Sequence, residues 1–88
     1  MSLGTPPKSV PLIIRQFNGR VLSGVVIDID HQRSMIRVTR ISILEVVGLK
    51  KGLEPIYGKK AKVRGFLDIP IDTIVHWESL PDYLKLED

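Results

Sequence analysis

The chain has 88 residues, 43% of them hydrophobic and 26% charged, which fits one globular domain and excludes a wholly disordered chain. It has no cysteine, which excludes disulfides and thiolate metal sites and makes a reducing, cytoplasmic setting the expectation. The net charge of +3 is unevenly spread: twelve Lys/Arg stand against four Asp/Glu up to Arg64, and beyond it Lys85 stands against six acids. Such a basic body with an acidic tail suits either a polyanionic partner or a copy of itself.

Residues 1–9 read as a disordered lead, residues 10–79 as the domain and residues 80–88 as an acidic tail. Residues 9–17 are mostly apolar and suit a short helix or a strand, with Pro11 acceptable at the start of either. Asn18-Gly19 is a hairpin-turn signal, because both residues tolerate positive φ. Residues 20–30, rich in Val and Ile, read as a strand with Val21, Val25, Ile27 and Ile29 on one side and Leu22 and Val26 on the other. Gly24 lies inside it, where a glycine weakens a strand unless a bend or a close approach requires one. A polar turn over residues 30–34 leads to a second strand at residues 35–47, whose alternation breaks around residues 40–42 as at a bulge.

Residues 48–60 hold three glycines, a proline and four lysines and read as a long basic loop. Alternation returns at residues 61–69, with Ala61, Val63, Gly65, Leu67 and Ile69 on one side. After Pro70, residues 71–78 form a last strand. The expected fold is therefore all-β: a small, five-stranded, strongly bent, SH3-like barrel, with room for a short N-terminal helix. No apolar run is long enough to span a bilayer and no signal-peptide pattern opens the chain, so no membrane association is expected.

No local motif for nucleophilic catalysis, phosphate-binding glycine loop or zinc-binding helix is present, so the chain reads as a non-enzyme with no cofactor and no small-molecule substrate. Asp28, Asp30 and His31 bring oxygen and nitrogen donors together. Their place at the polar end of a strand favours solvated residues over a metal site. Asp68 and Asp72 are better read as flanking a turn than as paired acids. Trp77 reads as core or interface. Phe66 stands between Arg64 and Asp68 on the polar side, a setting that suits either base stacking or burial by another segment.

The spacing of Asn18, Gly19, Leu22, Gly24, Val26 and Asp30 resembles the first motif of the Sm, LSm and Hfq family of RNA-binding rings. Val10-Pro11 is similar to the Hfq form, and Val63-Arg64-Gly65 resembles the start of the second Sm motif. Where the family carries a ring residue, Met and Asn after the motif Asp, this chain has Gln32, Arg33 and Ser34, with His31 before them. The Tyr-Lys-His ahead of the last strand of Hfq is replaced by Asp68-Ile69-Pro70.

The resemblance implies a homo-oligomeric ring, in which the fourth strand of one subunit pairs with the fifth of the next and pore-side loops meet single-stranded RNA. By position it implies RNA contacts from His31, Gln32, Arg33, Ser34 and Arg64. Lys50, Lys51, Lys59 and Lys60 of the basic loop would add phosphate attraction. Asn18, Gly19, Gly24, Asp30 and Gly65 would be its structural positions. The alternative expectation is a small SH3-like barrel that serves protein assembly without binding RNA.

Overall fold

The computed structural model describes residues 4–87; the expectation of disorder over residues 1–3 and the acid at position 88 lie outside the described residues. It is all-β, with β1 (Pro11–Gln16), β2 (Val21–Asp30), β3 (Met35–Leu49), β4 (Pro55–Pro70), a short 3-10 turn η1 (Ile71–Thr73) and β5 (Ile74–Ser79). The strands form one antiparallel sheet in the order β4-β3-β2-β1-β5. No strand ladder joins β4 to β5, so the sheet is open and the expected closed barrel is not formed. A single inner core nevertheless draws on every strand. Leu12 and Ile14, Leu22 and Val26, Ile36, Val38 and Ile41, and Ile69 are buried together, with Ile74 and Trp77 packed against them. The sheet therefore curls until residues of both edge strands meet over one core.

A line of irregularities across three strands accompanies the curl. The β2–β3 register shifts between Ser23 and Val25. The β3–β4 register shifts between Thr39 and Ile41, opposite the segment of β4 that holds Arg64 and Gly65. Arg40 and Gly65 both have positive φ, at 57° and 78°. An extra residue in a strand bends it and reverses its alternation. That explains the break in β3: Val38 and Ile41 both face the core although they are three positions apart. Gly24 sits within the first of these register shifts, and a Cβ there would lie 2.6 Å from Val38 Cγ1 and 2.8 Å from the Thr39 carbonyl oxygen.

Four expectations are corrected. Residues 11–16 form a strand, and no α-helix occurs among the described residues. The β2 faces are exchanged part-way along by a second register shift between Val26 and Asp28, so Ile29 packs with Leu22 and Val26 on the core while Ile27 is exposed. Residues 48–60 are not a long loop. β3 and β4 continue as a hairpin through Leu49 and Pro55, and the turn occupies residues 50–54, closed by Lys50 N–H to the Glu54 carbonyl at 2.7 Å. Finally, the described part of the lead is docked on the sheet. Pro6 is fully buried, and the Ser9 N–H donates to the Val26 carbonyl at 2.9 Å.

The β1–β2 turn uses Asn18-Gly19 as a three-residue loop. Gly19 takes φ 88°, and the Asn18 side chain accepts the Arg20 N–H at 2.9 Å. After β5 the chain turns back across the outer face of the sheet. The Leu80 N–H donates to the Pro11 carbonyl at 3.0 Å, and Leu84 is buried with Ile13, Leu44 and Tyr57 in a second apolar cluster. The Tyr83 hydroxyl accepts the Tyr57 N–H at 3.0 Å. The acidic tail is thus a strap that gives the sheet its second buried face, which is why Ile13, between Leu12 and Ile14, is as buried as they are.

Candidate functional site

The turn between β2 and β3 carries His31, Gln32, Arg33 and Ser34, all exposed. Its shape is set locally. Asp30 Oδ1 accepts the Arg33 N–H at 3.1 Å, and Ser34 takes φ 53°. It is also anchored at long range, because the Ser34 carbonyl accepts the Ile71 N–H of η1 at 2.8 Å. The turn and the β4–β5 connection therefore share one end of the sheet.

Beside the turn lies a shallow depression lined by Asp28, Asp30, Arg33, Arg37 and Asp68, among others. Arg37 donates through Nε and Nη2 to the two carboxylate oxygens of Asp68 at 2.9 and 3.2 Å, a bidentate pair. The same guanidinium stands 3.9 Å from the Phe66 ring centroid. The hydrogen bond from Arg37, followed by its charge, holds the Asp68 carboxyl below its ordinary value. Asp28, Asp30 and Asp68 interleave with Arg33 and Arg37, so the field here is mixed rather than strongly positive. The exposed aromatic ring already has a cationic plane against it. No group of three or more side chains able to hold a metal ion is assembled among the described residues, so Asp28, Asp30 and His31 do not form a ligand set.

Arg64 is not part of this end. It belongs to the interior of β4, at the bulge that faces Arg40, and not to a loop. Pro70, the partner of Met35, is six positions further along the strand, or about 20 Å at ~3.3 Å per residue. Along β4, Arg64 is therefore set apart from the His31–Ser34 turn. The lysines are likewise dispersed. Lys50 and Lys51 occupy the far hairpin turn, where Lys50 Nζ lies 4.9 Å from the Tyr83 ring centroid. Lys59 and Lys60 are strand residues of β4, and Lys59 is ion-paired.

The partner of Lys59 is Glu87, at the end of the strap. Its Oε1 accepts from Lys59 Nζ at 2.9 Å and from the Ser42 hydroxyl at 2.8 Å, and Lys62 Nζ lies 3.7 Å from Oε2. Arg40 Nε donates to the Glu87 carbonyl at 2.7 Å. Hydrogen bonds from Lys59 and Ser42, then the charges of Lys59 and Lys62, hold the Glu87 carboxyl below its ordinary value. Sequence reasoning missed Ser42, Lys62 and Glu87 as a group. The charge contrast between body and tail was visible, but the strap's path across the sheet is a tertiary fact.

A third feature is apolar. Phe17 of the first turn, Val46, Leu49 and Leu53 of the long hairpin, and Val75 of β5 border a groove of ≈ 580 Å³ floored by Tyr57. Phe17 and Leu53 are 70% and 78% exposed, so the groove walls face solvent with large side chains. No helix among the described residues is long and apolar enough to cross a membrane. Comparison with models of protein families, with curated proteins and with solved structures finds no match.

Proposed function

We propose that the protein is a non-enzymatic, Sm-like module that assembles into a homo-oligomeric ring through its two free sheet edges and binds single-stranded RNA on the face of the His31–Ser34 turn. The observation that carries this reading is the sheet order β4-β3-β2-β1-β5 with a bend at Gly24. It leaves a sixteen-residue β4 and a six-residue β5 as unpaired edges of one curved sheet. Exposed edges invite another strand, and pairing β4 of one copy with β5 of the next covers β5 and the matching six-residue stretch of β4. The resemblance of Asn18, Gly19, Gly24 and Asp30 to the first Sm motif supports the same arrangement. In such an assembly each copy presents its turn around a common axis, so weak contacts by His31, Gln32, Arg33 and Ser34 are multiplied.

Titration of a short oligouridine at several salt concentrations tests the RNA half. Binding that weakens as salt rises, and weakens further in Arg33→Ala, supports it. Failure to bind even at low ionic strength removes RNA and leaves the assembly half standing.

One observation favours a second reading, a protein-assembly module without RNA. The groove bordered by Phe17, Val46, Leu49, Leu53 and Val75 reaches the β5 edge through Val75 and exposes large apolar side chains. Capture of a specific protein that is lost in Leu53→Asp and unaffected by Arg33→Ala would promote it.

A further inference from the structure

The Glu87 carboxylate rests in a site that has the chemistry of an oxyanion receptor. Ser42 is fully buried, and its hydroxyl points at Glu87 Oε1. Lys59 and Lys62 bring ammonium groups from β4 to the two carboxylate oxygens, and Arg40 brings a guanidinium to the adjoining carbonyl. These residues come together because of the bend. The bulges at Arg40 and at Arg64-Gly65 face each other across the β3–β4 ladder. Next to the carboxylate opens a cavity of ≈ 330 Å³ walled by Thr39, Arg40, Lys62, Arg64 and Glu87. It is within the size range of small-ligand sites. Among the described residues, its lining sets the Glu87 carboxylate beside Arg40, Lys62 and Arg64.

We propose that this cavity is a phosphate-binding site, for which the Glu87 carboxylate is the built-in occupant of the hydroxyl and lysine donors. A phosphate group has more acceptor oxygens and more charge than a carboxylate, and Lys62 and Arg64 border the space beside the one already there. Binding displaces Glu87 and passes Ser42, Lys59 and Lys62 to the incoming phosphate. The site goes beyond the RNA reading above: it lies about 20 Å from the His31–Ser34 turn along β4, and a monomer contains all of it. The phosphate can belong to a free anion, a mononucleotide or a nucleic-acid strand.

The test is an NMR titration of Glu87→Ala, Glu87→Gln and the parent chain with inorganic phosphate, uridine monophosphate and a ten-residue oligouridine, at low salt. Removing the competing carboxylate is expected to tighten phosphate binding about fivefold, the effect of one exposed ion pair. Amide shifts should centre on residues 39–42 and 59–65. Adding Arg64→Gln or Lys62→Ala to Glu87→Ala should cancel the gain. If inorganic phosphate or the mononucleotide binds in this way, the site takes small ligands. If only the oligomer does, the phosphate is that of a strand. Affinity unchanged by removing Glu87, or shifts centred on the lysines of the 50–54 turn, would overturn the proposal. Oligouridine shifts confined to the His31–Ser34 turn would overturn it while leaving the RNA reading intact.

Discussion

Gly24 and Val38 face each other across β2 and β3 so closely that a single methyl group on Gly24 would stand 2.6 Å from Val38 Cγ1. The second close atom is the backbone oxygen of Thr39, at 2.8 Å, which cannot rotate away. The bend of the sheet is therefore built on a missing side chain. Gly24→Ala is expected to destabilise the fold by about 3 kcal/mol, the upper end of overpacking costs. Urea denaturation checks this through a lowered midpoint at unchanged slope. A midpoint equal to the parent's would mean that the strands part without cost and that the bend does not depend on this contact.

The strap makes a separate contribution. Leu84 is 9% exposed and packs on Ile13, Leu44 and Tyr57. Leu84→Ala should cost ~2 kcal/mol. Tyr83→Phe removes the hydroxyl that accepts the Tyr57 N–H and should cost a smaller amount, about 1 kcal/mol. Hydrogen exchange in both variants should rise first at Tyr57 and its neighbours in β4. Protection there identical to the parent's would show that the strap is not holding this face.

Acid stability follows from two carboxylates. Asp68, beside Arg37, and Glu87, beside Lys59 and Ser42, are both held below their ordinary values of 3.8 and 4.5. Their folded forms bind protons less readily than the unfolded chain does. The stability they supply is complete above those ordinary values and is lost as pH falls through the depressed folded ones. Arg37 is shifted in the opposite sense, upward, by the same hydrogen bond, so its part is lost only far into the alkaline range. Urea midpoints measured between about pH 3 and 7 should fall on the acid side, and less steeply in the Asp68→Asn, Glu87→Gln double variant. An equally steep fall in that variant would place the acid sensitivity elsewhere.

The RNA reading separates two kinds of basic residue. Arg33 is exposed on the turn, whereas Lys59 is held by Glu87. Arg33→Ala should weaken oligouridine binding by roughly 1 kcal/mol and lower its salt dependence by about one counterion. Lys51→Ala, at the far hairpin turn, should change it much less. Equal losses in the two variants would mean general attraction to a basic surface and no defined RNA face.

The parts of this structure that were legible in the sequence are those fixed by neighbours in the chain. Asn18-Gly19 marks its turn because a left-handed residue is needed there and glycine supplies it. Gly24 marks the bend because nothing else fits, and the broken alternation at residues 40–42 marks the β3 bulge. The long β3–β4 hairpin was hidden. Past Leu44, Val46, Val47 and Leu49 of β3 are all exposed and Tyr57 is the one buried residue in the facing stretch of β4, so burial there does not alternate as it does in the rest of the strands. The bulge between Val26 and Asp28 was hidden too, because Ile27 and Ile29 are chemically alike and only the register tells which one faces the core. The strap was illegible for a different reason. Residues 80–87 have no period of their own, and their order comes from clusters and ion pairs with β1, β3 and β4. Arg64 was legible as a strand residue from the alternation of residues 61–69, but the bulge it forms opposite Arg40 comes from the β3–β4 register.

In the proposed assembly the free edges of β4 and β5 pair between copies. Sedimentation equilibrium over a wide concentration range measures this most directly. The expected result is one discrete oligomer of several subunits that persists on dilution, as for a closed ring in which each β5 is paired. A monomer across the whole range would contradict it, and with it the reading of the chain as an Sm-like assembly module.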